Sequence, residues 1–185
     1  KNYASQLRNG IKERLMNIGI AARGLSEISG GAKQYIESIT KSLLEVDHDN
    51  NYCIFYNKEE LLGKYPKAKE VFLNNENKII WDYLKLPKAL KRHNIDRCIF
   101  PKNVVPFNVT CKSIVVIHDL LHIKDPGVYK WYDSLYMRMG IPLSVRKSDA
   151  IITVSENSKK DLIELTSVDP KKIHVVHEAA DRKFR

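Results

Sequence analysis

The chain of 185 residues reads as an α/β domain of three layers, a mostly parallel sheet with helices on both faces. Three observations predict this. Short apolar runs of strand length recur along the chain, clearest at Ile18 to Ala22, Tyr52 to Tyr56, Ser113 to Ile117 and Ala150 to Val154. The segments between several of them carry helical periodicity. Gly30-Gly31 stands between the first apolar run and the first helix, the strand, turn, helix order with which nucleotide-binding α/β domains open.

The elements follow in order. Residues 1–15 are polar and mildly amphipathic through Leu7, Ile11 and Leu15, and form an N-terminal extension to which no role is assigned. The first strand, Ile18 to Ala22, gives way to a loop, Arg23 to Ser29. After the glycine pair, Ala32, Tyr35, Ile36, Ile39, Leu43 and Val46 fall on one helical stripe. Tyr52 to Tyr56 is the second strand. A less regular stretch follows, with a short strand expected at Val71 to Leu73. Ile79 to His93 reads as a helix interrupted or initiated by Pro87. Arg97 to Phe100 is the next strand and leads into a proline-bounded loop.

Ser113 to Ile117 (SIVVI) is continuous, β-branched and short, and ends in His118-Asp119. Tyr129 to Lys147 reads as a helix broken near Gly140-Ile141-Pro142. Ala150 to Val154 is another buried strand, and Ser155 is the expected N-cap of a helix from Glu156 to Leu165. Ile173 to Val176 is a last strand. Ligands of open parallel sheets bind beyond the carboxyl ends of the strands. That rule collects the Gly30-Gly31 turn, the loop after Phe100, His118-Asp119 and Ser155-Glu156 into one crevice.

Composition narrows the function classes. No apolar run approaches the roughly 18 residues of a membrane helix, and the first 15 residues hold no apolar core of a signal peptide. The expected location is cytoplasmic. Cys53, Cys98 and Cys111 form no Cys-x-x-Cys pair and read as reduced thiols. Lys and Arg total 31 against 22 Asp and Glu, a formal charge of +9 that favours an anionic partner. Lys85, Lys88, Lys91 and Arg92 form a basic patch, either a solvated helix face or a contact for acidic lipid at the inner face of a membrane. No aromatic residues interleave with it and no nucleic-acid motif is present, so nucleic acid is not expected.

The candidate chemistry lies at strand ends. His118 can donate to a sugar hydroxyl or phosphate, or pack against its loop. Asp119 suits a loop-fixing role through backbone N–H groups. Arg23 faces an anionic ligand or forms a salt bridge with Glu27 or Asp119. Lys33, on the first helical turn, strengthens an anion site or points to solvent. Ser155 lies in TVSEN rather than Gly-x-Ser-x-Gly, so N-capping accounts for it without a hydrolase triad. His122, His174 and His177 lack metal-ligand spacing, and no metal site is expected.

Four segments in this order, IGIAARGL…SGGAKQYIESITKSL, SIVVIHDLLHIKDP, RKSDAIITVSENSKKDLIEL and VDPKKIHVVHEAADRKF, resemble the N-terminal domain of group 1 (family 4) glycosyltransferases. The resemblance runs from about Met16 to the end and is poor over residues 57–78. It implies a Rossmann-like N-terminal half of a GT-B fold over residues 16–176, which holds the acceptor. Residues 177–185 would begin the linker to a C-terminal donor domain outside this sequence. The implied activity is hexosyl transfer, with retention, from a nucleotide-sugar donor to a saccharide or lipid-linked acceptor. No cofactor or metal is implied, because the nucleotide-sugar is a co-substrate. Gly30 and Gly31 match the glycine loop near the donor phosphates and acceptor, His118 matches the histidine contacting the transferring sugar, and Ser155 and Glu156 match a crevice loop. The resemblance also implies that this half is inactive or nearly so alone. The alternatives are a non-catalytic sugar- or phosphate-binding module, one subunit of a two-chain transferase, or a basic surface for acidic lipid.

Overall fold

The computed structural model describes residues 15–27, 30–128 and 130–179. Seven strands form one sheet: β1 Asn17–Ala21, β2 Asn51–Tyr56, β3 Lys69–Phe72, β4 Arg97–Phe100, β5 Lys112–Ile117, β6 Ala150–Thr153 and β7 Ile173–Val175. Their order is β3-β2-β1-β4-β5-β6-β7, and every neighbouring pair is parallel. The chain thus winds outward from β1 in one direction, returns from β3 to β4, and winds outward in the other. This Rossmann-like topology reverses between β1 and β4, where a crevice opens at the strand ends.

The helices are α1 Gly31–Val46, α2 over residues 78–92, α3 Leu121–Lys124, α4 Trp131–Lys147 and α5 Glu156–Thr166. Side-chain alternation along the strands divides the core into two. Ile20, Tyr52, Ile54 and Tyr56 pack with Ile36 of α1 on one face. Phe55, Cys98, Phe100, Val115, Ile117 and Ile151 pack on the other, against Trp81 and Leu86 of α2, Ile141 and Val145 of α4 and Leu162 of α5. Cys53 and Cys98 are buried free thiols, and burial pushes Cys53 up to about 11.

Two proline expectations are corrected. Pro87 neither interrupts nor initiates the helix as a whole: Lys78–Ile80, a π turn Trp81–Lys85 and Leu86–Arg92 run on as one element, with Pro87 in the first turn of its last α-helical part. Pro87 cannot donate to the carbonyl four residues back, that of Tyr83, and the Asn108 side chain donates to it instead at 2.7 Å. Pro142 does not break α4, which is continuous from Trp131 to Lys147 with Gly140, Ile141, Ser144 and Val145 all buried. The third strand lies slightly earlier than expected, at Lys69–Phe72. The N-terminal extension to residue 14, Ile28-Ser29, the expected helix start at Tyr129 and residues 180–185 of the linker expected from residue 177 lie outside the described residues.

Candidate active site at the sheet reversal

A cavity of about 360 Å³ occupies the reversal point. Its walls come from the end of β1 and the turn after it, the end of β4 and the loop after it, residues 78–86 of α2, His122 of α3 and the first two turns of α4. Arg23 leaves β1 and points Nε and Nη2 at the Asp82 carboxylate, at 3.4 and 3.5 Å. The Tyr136 hydroxyl of α4 donates to the same carboxylate at 3.0 Å. Lys78 pairs with Asp133 at 2.5 Å and lies 4.5 Å from the Tyr136 ring centroid. Lys102, two residues past β4, pairs with Glu27.

Burial sets the electrostatics. Loss of hydration raises the Asp82 carboxyl above its ordinary value, outweighing Arg23, Tyr136 and Lys78, which all act to lower it. Burial, with Arg23 adding to it, brings the Lys102 ammonium down to about 8 against the opposing charge of Asp133. The Tyr136 phenol is pushed upward by burial and by Asp82, so it stays protonated and acts as a donor.

His118 stands beside this cavity, joined to it through Pro101. Its Nε2 lies 3.1 Å from the Pro101 carbonyl and its Nδ1 lies 3.4 Å from Glu178 Oε1. The Tyr35 ring of α1 meets the imidazole edge to face, with centroids 4.7 Å apart. Burial, then Glu178, pushes the Tyr35 phenol up to about 12. The backbone is pinned as well: Asn103 Oδ1 accepts from the His118 N–H, and Ser158 Oγ donates to the His118 carbonyl. A ring held from this many sides is oriented before any ligand arrives.

The remaining expected residues fall at different distances from this centre. Gly30 caps α1 with φ 130° and ψ 159°, a conformation open essentially to glycine alone. A Cβ added at Gly30 or Gly31 would meet nothing within 4 Å, so the turn faces open space rather than packed protein. Arg23 pairs with Asp82, in place of the expected partners Glu27 and Asp119. Lys33 is half-buried beside Glu37, whose carboxylate is held low by Lys64 first and by Lys41 and Lys33 more weakly. Asp119 Oδ1 accepts from the Leu121 N–H at 2.9 Å and so fixes its own loop. Ser155 Oγ accepts from the Ser158 N–H and caps α5, while Glu156 is exposed on the first turn. Lys85, Lys88, Lys91 and Arg92 are all exposed on α2.

Sequence reasoning missed Asp82, Lys102, Tyr136 and Glu178. Asp82 had a readable signal: it is four residues before Leu86 and eight before Leu90, on the stripe that both leucines bury. An acid on a buried stripe requires a partner. Tyr136 and Glu178 carried no such signal, since their positions depend on how α4 and the end of β7 pack.

The crystal structure of a glycosyltransferase from Rickettsia africae ESF-5 superposes with a TM-score of 0.52 at 16% identity, over 92% of this chain and 45% of that one. This likeness concerns the fold, and the chain spans less than half the length of that protein. No curated protein matches the chain. The model of the family described as Glycosyltransferase Family 4 matches residues 29–184, from the glycine turn past the end of the sheet. The chain belongs to Glycosyltransferase Family 4.

Proposed function

We propose that the chain is the acceptor-side half of a retaining glycosyltransferase, which moves a hexosyl group from a nucleotide-sugar to a saccharide or lipid-linked acceptor. The observation that carries this reading is the charge balance of the crevice. Arg23, Lys78 and Lys102 are matched one to one with Asp82, Asp133 and Glu27. A cavity lined this way exposes many hydrogen-bonding groups and little net charge, although the whole chain carries +9. It suits a neutral polyhydroxyl acceptor, whose hydroxyls replace water on paired groups, better than a phosphate.

In this reading His118 contacts the transferring sugar, and Nδ1 exchanges Glu178 for a sugar hydroxyl. Glu178 is more than half exposed, so the exchange displaces a surface side chain rather than core. The open turn at Gly30-Gly31 leaves room for donor phosphates to approach the N–H groups of α1. The donor nucleotide belongs to a second domain in cis, and without it the chain is inactive or nearly so, because aligning donor with acceptor supplies much of the rate. The free buried thiols Cys53 and Cys98 accord with a cytoplasmic location.

The test joins this chain to a donor-binding domain and measures sugar transfer from a nucleotide-sugar panel to sugar and lipid-linked acceptors. His118→Ala should abolish transfer while leaving the urea midpoint near that of the parent. Undiminished transfer by that variant removes His118 from the reaction.

A further inference from the structure

We propose that α4 is a membrane-docking helix whose outward face lies on an anionic lipid surface. Among the described residues no helix is long and apolar enough to cross a membrane, so the contact is one of lying on the surface. The inference stands apart from the transferase reading, because its readout is binding.

The helix is arranged the reverse of an ordinary amphipathic helix. It turns Ser134, Gly140 and Ser144 inward together with Ile141 and Val145. Its large apolar side chains face solvent: Trp131 is 76% exposed, Leu135 50%, Met139 61% and Leu143 53%. Spacings of four residues align these four along one side. The helix is fixed in that roll. Ser144 Oγ accepts from the Val105 N–H at 2.7 Å and donates to the Gly140 carbonyl at 2.6 Å. A Cβ at Gly140 would lie 3.0 Å from Val104. The small residues seat the helix against the 104–105 loop, and the apolar stripe has nowhere to turn.

Charge selects the occupant. Asp133 is the only acid on α4, and Lys78 already pairs with it. Arg138, Arg146 and Lys147 are exposed, and Lys130 just before the helix stacks over the Tyr132 ring. A second copy on this face would set these cations against their own images, whereas an anionic bilayer is complementary to them. Trp131 and Tyr132 at the helix start suit the headgroup level. Asp133 and Tyr136, on the inner side of the same helix, line the crevice, so docking brings its mouth to the lipid surface. The apolar part of the contact therefore lies on α4, apart from the basic residues 85–92 of α2.

The 185-residue chain is mixed with phosphatidylcholine vesicles, with and without about one-third phosphatidylglycerol, and followed by sedimentation and tryptophan emission. Trp81 is 1% exposed, so a blue shift on binding reports Trp131. We expect binding to the anionic vesicles with that shift, and Trp131→Phe should abolish the shift. Leu135→Gln with Met139→Gln should weaken binding at least about tenfold, and Arg138→Gln about fivefold. Circular dichroism and urea midpoints of these surface variants should match the parent. A parent chain that stays in the supernatant with anionic vesicles overturns the proposal. So does a Leu135→Gln, Met139→Gln variant that binds like the parent, which would assign the contact to α2. A dimer in light scattering that these changes dissociate, without vesicle binding, would give the face to a second copy.

Discussion

Replacing Asp82 with Asn keeps the shape of the crevice wall and removes one charge. At an effective dielectric of about 20, unit charges 3.4 Å apart attract by about 5 kcal/mol, which is the gross value of the Arg23–Asp82 pair. Lost hydration opposes it. The Asp82 carboxyl lies above its ordinary value despite Arg23, Tyr136 and Lys78, so the cost of burial exceeds what its partners return. The folded protein therefore favours the neutral form more than the unfolded chain does, and Asn imitates that form. Asp82→Asn should cost less than about 1 kcal/mol at pH 7, since the amide oxygen still accepts from Tyr136. Asp82→Ala leaves the hydroxyl and the guanidinium without their partner and should cost about 1–3 kcal/mol.

The pH dependence follows from the same direction of shift. A carboxyl with a raised folded value contributes stability when protonated; that contribution is complete below the unfolded value of about 4 and is lost as pH rises through the folded value. The parent should therefore gain on Asp82→Asn as pH falls from 7 toward 4. Urea denaturation followed by circular dichroism at several pH values measures both effects. A loss of about 3–5 kcal/mol in Asp82→Asn at pH 7 would mean that the ion pair outweighs burial. A parent that loses ground to the variant as pH falls would refute the reasoning equally.

Two further outcomes can be checked by the same urea denaturation. Gly30→Ala should destabilise by about 1–3 kcal/mol because a side chain at φ 130° is strained, whereas Gly31→Ala should be neutral or stabilising by up to about 1 kcal/mol, so any ligand binding lost in Gly31→Ala is lost to the methyl group itself. Lys102, brought down to about 8 by burial and Arg23, holds its proton less tightly when folded, so the parent should gain stability over Lys102→Met as pH rises from about 8 toward 10. A stability gap that stays flat would mean that Glu27 restores the ammonium.

The sheet was legible because its strands are buried on both faces. SIVVI is apolar without alternation, and a run that short and β-branched has one reading. The prolines were misread because a missing N–H is a local cost that tertiary structure can meet: Asn108 reaches the carbonyl freed by Pro87, and the packing of Ile141 and Val145 carries α4 past Pro142. Asn108 is far from Pro87 in sequence, and the core surface that buries Ile141 and Val145 is supplied by other elements, so no window around either proline contains the whole compensation.

The candidate site divides along the same line. Arg23 and His118 were found because each follows a strand in a parallel sheet, and topology alone brings strand ends together. Asp82 and Lys78 at the start of α2 meet Tyr136 and Asp133 of α4, and the seating of α4 involves small residues against the 104–105 loop whose significance is invisible until that surface is known. Gly140 is the clearest case. In sequence it reads as a helix break beside a proline, while in the fold it is the point where α4 closes on Val104. That close approach decides which side of α4 reaches the crevice, with Tyr136, and which side reaches solvent, with Met139. A helix that buries small residues and exposes large apolar ones misleads a reading by hydrophobic stripe, so one buried glycine places both the site and the exposed face beside it.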